Sequence, residues 1–164
     1  MKKGFTLIEI LIVVAIIAIL ASIVLVGLTG ARAKARDAKR ISDVTSVQNV
    51  LELYYTRCGF YPGQVNCGEA ANPANWVDLS AALTGSGLGV TGIPKEQITG
   101  HEDYSYSVDT NASTNRQGYV LSVQLEGDNQ VLRNPEEVDA SSFPAGFTPV
   151  LSCDDAAFNY CVRY

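Results

Sequence analysis

Histidine, tryptophan and methionine each occur once in 164 residues. The single histidine, His101 in "GHEDY", lies far in sequence from every cysteine, and no C-x2-C spacing exists, so a structural zinc site lacks a ligand set. No catalytic constellation accompanies His101, which reads as a solvated loop residue. Neither an enzymatic activity nor a cofactor is expected. Repeats and low-complexity tracts are absent. The acidic clusters "PEEVD" and "CDDAA" are the candidates for calcium, but neither has EF-hand spacing, and solvated acids are the simpler reading. "NAS" at Asn111 is a glycosylation sequon of the kind that also arises by chance.

Acidic residues are scarce at one end of the chain. Residues 1–40 hold seven Lys/Arg and two acids, a net +5, whereas residues 41–164 hold five Lys/Arg and fifteen acids, a net −10. So acidic a body argues against a nucleic-acid-binding face over most of it. Charge is missing altogether from Ile10 to Leu28, an apolar run broken only by Ser22 and Gly27. That run is long enough to cross a bilayer as a helix and too long for the core of a cleaved secretory signal. A plain signal anchor is the simplest alternative, but Glu9 lies just inside its start. A carboxylate there costs on the order of 2–3 kcal/mol in lipid, so Glu9 either snorkels to the headgroups or meets a partner.

Topology and redox signals conflict. Lys2 and Lys3 flank one end of the run and the five cations of "ARAKARDAKR" the other, so counting charge places the body in the cytoplasm. The four cysteines form two close pairs, which suits small disulfide loops in an oxidising space. Three connectivities exist, and the spacing favours Cys58–Cys67 and Cys153–Cys161.

The apolar run passes into strong helix formers without a turn, loosened only at Gly27 and Gly30. Ile41, Val44, Val47, Leu51 and Tyr54 then recur at helical steps as a single stripe that needs a partner. One helix from about Phe5 to about Tyr55, roughly 75 Å long at 1.5 Å per residue, ends at Cys58-Gly59 and Pro62. Residues 59–100 read as an irregular connection with a short helix in "WVDLSAALTG". Beyond it the period changes to two. Strands are expected at Tyr104–Val108, at Tyr119–Leu125, in "VLRN" after the "GDNQ" turn and in "FNYCVRY", forming an antiparallel sheet with one buried face. The tyrosines on these strands read as core. The expected fold is α+β, the amphipathic half of a long helix packed on a small antiparallel sheet.

"KKG-FTLIEI" followed by an apolar helix resembles the prepilin signature of type IV pilins and type II secretion pseudopilins: a basic leader ending in Gly, then Phe, then Glu at the fifth mature position. "LELYYTRCGFYP" resembles the helix end of that family, and "IPKEQ", "YSYSV" and "YVLSVQLEGD" resemble its loop and sheet segments. The resemblance implies a leader at 1–4, cut by prepilin peptidase on the cytoplasmic side between Gly4 and Phe5, with N-methylation of Phe5. It implies a membrane-spanning, filament-core helix over 5–28 and its amphipathic half over 29–57. An irregular connection over 58–103 follows, then the sheet and C-terminal disulfide loop over 104–164. The body is then exported despite its basic flank. Glu9 would accept the Phe5 amine of a neighbouring subunit in a helical homo-oligomer, built from the membrane by an inner-membrane assembly platform. Where the family commonly has a helix proline this chain has Val26, so the resemblance carries no expectation about helix melting. A pilus subunit is the first reading. The major pseudopilin of a secretion system and a minor pilin that binds DNA or a surface are the alternatives. Nucleic acid is a partner only if the filament serves DNA uptake. The C-terminal Cys153–Cys161 loop resembles that of pilins more than that of the major pseudopilins.

Overall fold

A computed structural model describes residues 4–63, 67, 73, 75–98, 104–108, 118–133, 137–138 and 153–163, without the side chains of 24–29. Helix α1 spans Leu7–Cys58 and α2 spans Trp76–Gly85. The strands are β1 (Ser105–Val108), β2 (Tyr119–Gln124) and β3 (Asn159–Arg163), in the antiparallel order β1-β2-β3. The architecture is α+β. By contacts the chain divides into two compact units, Met1–Arg36 and Asp37–Tyr164.

In the second unit the helical stripe is buried. Val44, Val47, Leu51 and Tyr54 are each no more than 1% exposed, with Ile41 packed beside them. They share one core with Leu79 and Leu83 of α2 and with Tyr106, Tyr119, Leu121 and Val123 of the sheet. Alternation explains the sheet residues: Tyr106 pairs with Leu121 and Leu121 with Val162, so all three lie on one face. α1 ends where Gly59 adopts φ 78°, its N–H donating to the Tyr55 carbonyl at 2.7 Å, the left-handed cap that glycine supplies without strain. α2 starts at Asn75, whose side chain accepts the Asp78 N–H at 2.9 Å. Its Trp76 stacks on Tyr104 at 5.0 Å and donates to the Pro94 carbonyl at 2.7 Å. Tyr61 meets Tyr119 edge-on at 4.6 Å, and Tyr106 donates to the Pro62 carbonyl at 2.6 Å.

Two expectations are corrected. The sheet has two buried faces rather than one. Val120, Ser122 and Cys161 point away from the main core, and Val120 and Cys161 join Val138 and Cys153 in a second cluster. The Cys153–Cys161 disulfide draws the C-terminal segment over that face, which no local pattern in β2 announces. "VLRN" is not a strand: Gln130–Arg133 forms a 3-10 turn. Asn129 dictates this, its side chain accepting the Val131 N–H at 3.2 Å and its carbonyl the Leu132 N–H at 3.1 Å. The free edge of β3 meets Glu137 in an isolated bridge instead.

The basic stretch after the apolar run is not uniformly solvated. Asp37 and Arg40 are buried. Arg40 Nε donates to Glu96 Oε2 at 2.6 Å, and its Nη1 donates to Glu126 Oε1 and Asp37 Oδ1, each at 2.9 Å. Asp37 Oδ1 also accepts the Glu126 N–H at 2.9 Å. Burial works against the Arg40 charge, but the hydrogen bonds to Glu96, Glu126 and Asp37 outweigh it and raise its pKa. Burial likewise pushes Glu96 up, yet Arg40 and the Ile98 and Gln97 N–H groups hold it below the usual carboxylate range.

Candidate functional site

The first unit carries Gly4, Phe5 and Glu9, which the sequence singled out. From Leu7 to Ile23 the side chains are exposed around the whole helix, Leu7 at 82% and Ile23 at 67%. Only two side chains in that stretch are polar, Glu9 and Ser22. Each is satisfied by its own chain. Ser22 Oγ donates to the Ile19 carbonyl at 2.7 Å. The Thr6 N–H and Thr6 Oγ1 donate to Glu9 Oε2 at 2.8 and 2.7 Å, and the Glu9 N–H closes on Thr6 Oγ1 at 3.4 Å.

That reciprocal pattern is a capping box. Thr6 precedes the first helical residue and Glu9 stands at the third position, so two of the helix's orphan donors find acceptors. The negative side chain also lies at the positive end of the helix dipole. Glu9 therefore has a local role that the question of its cost in lipid passes over. The T-x-x-E spacing of Thr6 and Glu9 is the signal that reveals it. Both side-chain bonds fall on Oε2, and Oε1 makes no hydrogen bond among the described residues, so one oxygen remains for a cation.

Gly4 and Phe5 precede the helix, Phe5 at 84% exposure. A Cβ on Gly4 would meet nothing within 4 Å. No packing among the described residues demands glycine there. Cys58 and Cys67 are bonded at a Cα separation of 5.7 Å, as are Cys153 and Cys161. The first bond closes the loop that follows α1, and the second secures the cover on the sheet.

His101, Asn111 and most of "PEEVD" lie outside the described residues. Glu137 of that stretch accepts the Cys161 N–H at 3.3 Å. In "CDDAA", Asp154 caps the turn Asp155–Ala157 by accepting the Ala156 N–H at 2.9 Å. Among the described residues no group of three or more His, Cys, Asp or Glu side chains could hold a metal ion. Nor, among them, is any helix long and apolar enough to cross a membrane. The run read from the sequence continues to Leu28, through residues 24–29, whose side chains are not described.

No curated protein and no solved structure matches the chain. A family model described as the prokaryotic N-terminal methylation motif matches residues 1–25, the stretch that contains Gly4, Phe5, the Thr6–Glu9 box and the exposed apolar helix. The chain thus opens with a stretch that matches the prokaryotic N-terminal methylation motif, a motif of the class III signal peptides of type IV pilins and pseudopilins.

Proposed function

We propose that this chain is the precursor of a structural pilin. Prepilin peptidase cuts it between Gly4 and Phe5 and the new Phe5 amine is methylated. The subunit then polymerises through α1 into a type IV pilus-like filament. Before assembly it rests in the cytoplasmic membrane with residues 37–164 exported, and an inner-membrane platform passes it into an extracellular or periplasmic filament. The observation that carries this reading is the first stretch of α1. Its apolar side chains are exposed all round, and both of its polar side chains are satisfied within the chain. Such a surface is stable only in lipid or against other apolar helices.

Glu9 fits both environments. Its capping box lowers the cost of the carboxylate in the monomer, and Oε1 remains to accept the Phe5 amine of a neighbour. An uncleaved subunit has no amine at Phe5 and cannot make that pair. The Cys153–Cys161 loop favours a pilus over a secretion pseudopilus, on the family resemblance. The test is intact-mass analysis and N-terminal sequencing of isolated filaments. Subunits beginning at N-methylated Phe5 are expected, and filaments built from chains that still begin with MKKG would overturn the proposal.

A further inference from the structure

Five cations follow the apolar run, and the fold treats them differently. Arg40 is buried among three carboxylates. Lys39 pairs with Asp43 at 2.6 Å. Arg36 is half-buried and engaged within the chain. Arg32 and Lys34, the two nearest the run, are exposed and have no ion-pair or hydrogen-bond partner among the described residues.

We propose that Arg32 and Lys34 bind the headgroups of anionic phospholipids around α1 before assembly, which rests on the membrane-anchored reading above. Position is the first argument. Counted along the helix, Arg32 lies about 6 Å and Lys34 about 9 Å beyond Leu28. Helical side chains lean toward the helix N-terminus, so both ammonium and guanidinium groups reach back toward the end of the apolar run, into the headgroup layer. Direction is the second argument. Two residues apart on an α-helix means about 200° apart around the axis. No single flat protein surface meets both side chains, whereas a headgroup layer surrounds the helix and meets each. Charge is the third. The only acid between Ile10 and Ser42 is Asp37, and it is buried against Arg40, so no exposed carboxylate on this stretch opposes an anionic headgroup.

The test uses the full chain in phosphatidylcholine bilayers doped with spin-labelled phosphatidylglycerol or spin-labelled phosphatidylcholine. The motionally restricted fraction gives the relative association of each lipid. Phosphatidylglycerol should be favoured by about fivefold per cation. The preference should fall with added salt and drop sharply in the Arg32→Gln/Lys34→Gln chain, to what Lys2 and Lys3 at the other end of the run contribute. It should persist in Lys95→Gln/Arg163→Gln, which removes exposed cations from the other unit. Equal association of the two lipids with the unaltered chain, or a preference untouched by Arg32→Gln/Lys34→Gln, overturns the proposal. The second result together with loss of filaments would assign both cations to a neighbouring subunit instead. A chain that alkaline extraction strips from the bilayer overturns the membrane reading itself, and this proposal with it.

Discussion

Thr6 and Glu9 close one helix end from both sides, the Thr6 hydroxyl donating to the Glu9 carboxylate at 2.7 Å while the Glu9 N–H turns back to that hydroxyl at 3.4 Å. Glu9 is therefore engaged through Oε2 within its own chain, and this capping role can be separated by substitution from the pairing role proposed for it.

Glu9→Gln keeps a side chain that can complete the box but removes its charge. The monomer should insert, be processed and fold normally, while filament yield collapses, because a neighbour's amine buried without a counter-charge costs about 3–5 kcal/mol. Glu9→Leu should fail in the same way and lose about 1 kcal/mol of capping besides. The measurement is filament yield at matched expression. Unimpaired filaments from Glu9→Gln would leave Glu9 with capping alone.

Arg40→Met should destabilise residues 37–164 by about 3–5 kcal/mol, because Asp37, Glu96 and Glu126 lose their shared cation. Denaturant unfolding of the detergent-solubilised chain measures it. Glu96 adds a pH dependence. Its folded-state pKa is lowered from 4.5, so the unfolded chain binds its proton first as pH falls. Its contribution should be complete at neutral pH. It should then decline as pH drops below 4.5 and through the lower folded-state value, a slope that Glu96→Gln should flatten.

Tyr106 should stay protonated in the native protein well above the ordinary tyrosine value of 10.0, because burial, then the neighbouring Tyr119 and Tyr61, raise its pKa. Tyr104 is raised as well, by burial and by Asp43, whose carboxylate accepts its hydroxyl at 2.9 Å. Their stabilising contribution is complete below pH 10 and is lost as pH rises through the higher folded-state values. The tyrosinate absorbance of these two should thus appear only with unfolding, at pH well above 10.0. Their titration at the ordinary value would contradict the packing.

Gly63→Ala should cost about 1–3 kcal/mol, since a Cβ there would stand 2.6 Å from Val108 Cγ1. Gly4→Ala should leave folding unchanged, because that position is open. Thermal melts of both variants check the contrast.

The helical stripe Val44, Val47, Leu51 and Tyr54 and the alternation along β2 were legible because each follows the period of a single element. The close cysteine pairs were legible for a related reason: their separations of 9 and 8 residues leave little choice of partner. "VLRN" misled because a run of apolar residues does not reveal that the preceding Asn129 takes both its backbone and its side chain into a turn.

By itself the sequence determined the α+β class, the apolar start of α1 and the Gly4-Phe5-Glu9 pattern, all of which rest on spacings within a few residues. The tertiary structure alone decided which charges are solvated and which face of the sheet is covered. Arg40 finds Glu96 and Glu126 across 56 and 86 positions, and Val120 meets Cys153 only because the chain returns through β3. Burial of a charge depends on partners brought from afar, and no local period encodes them.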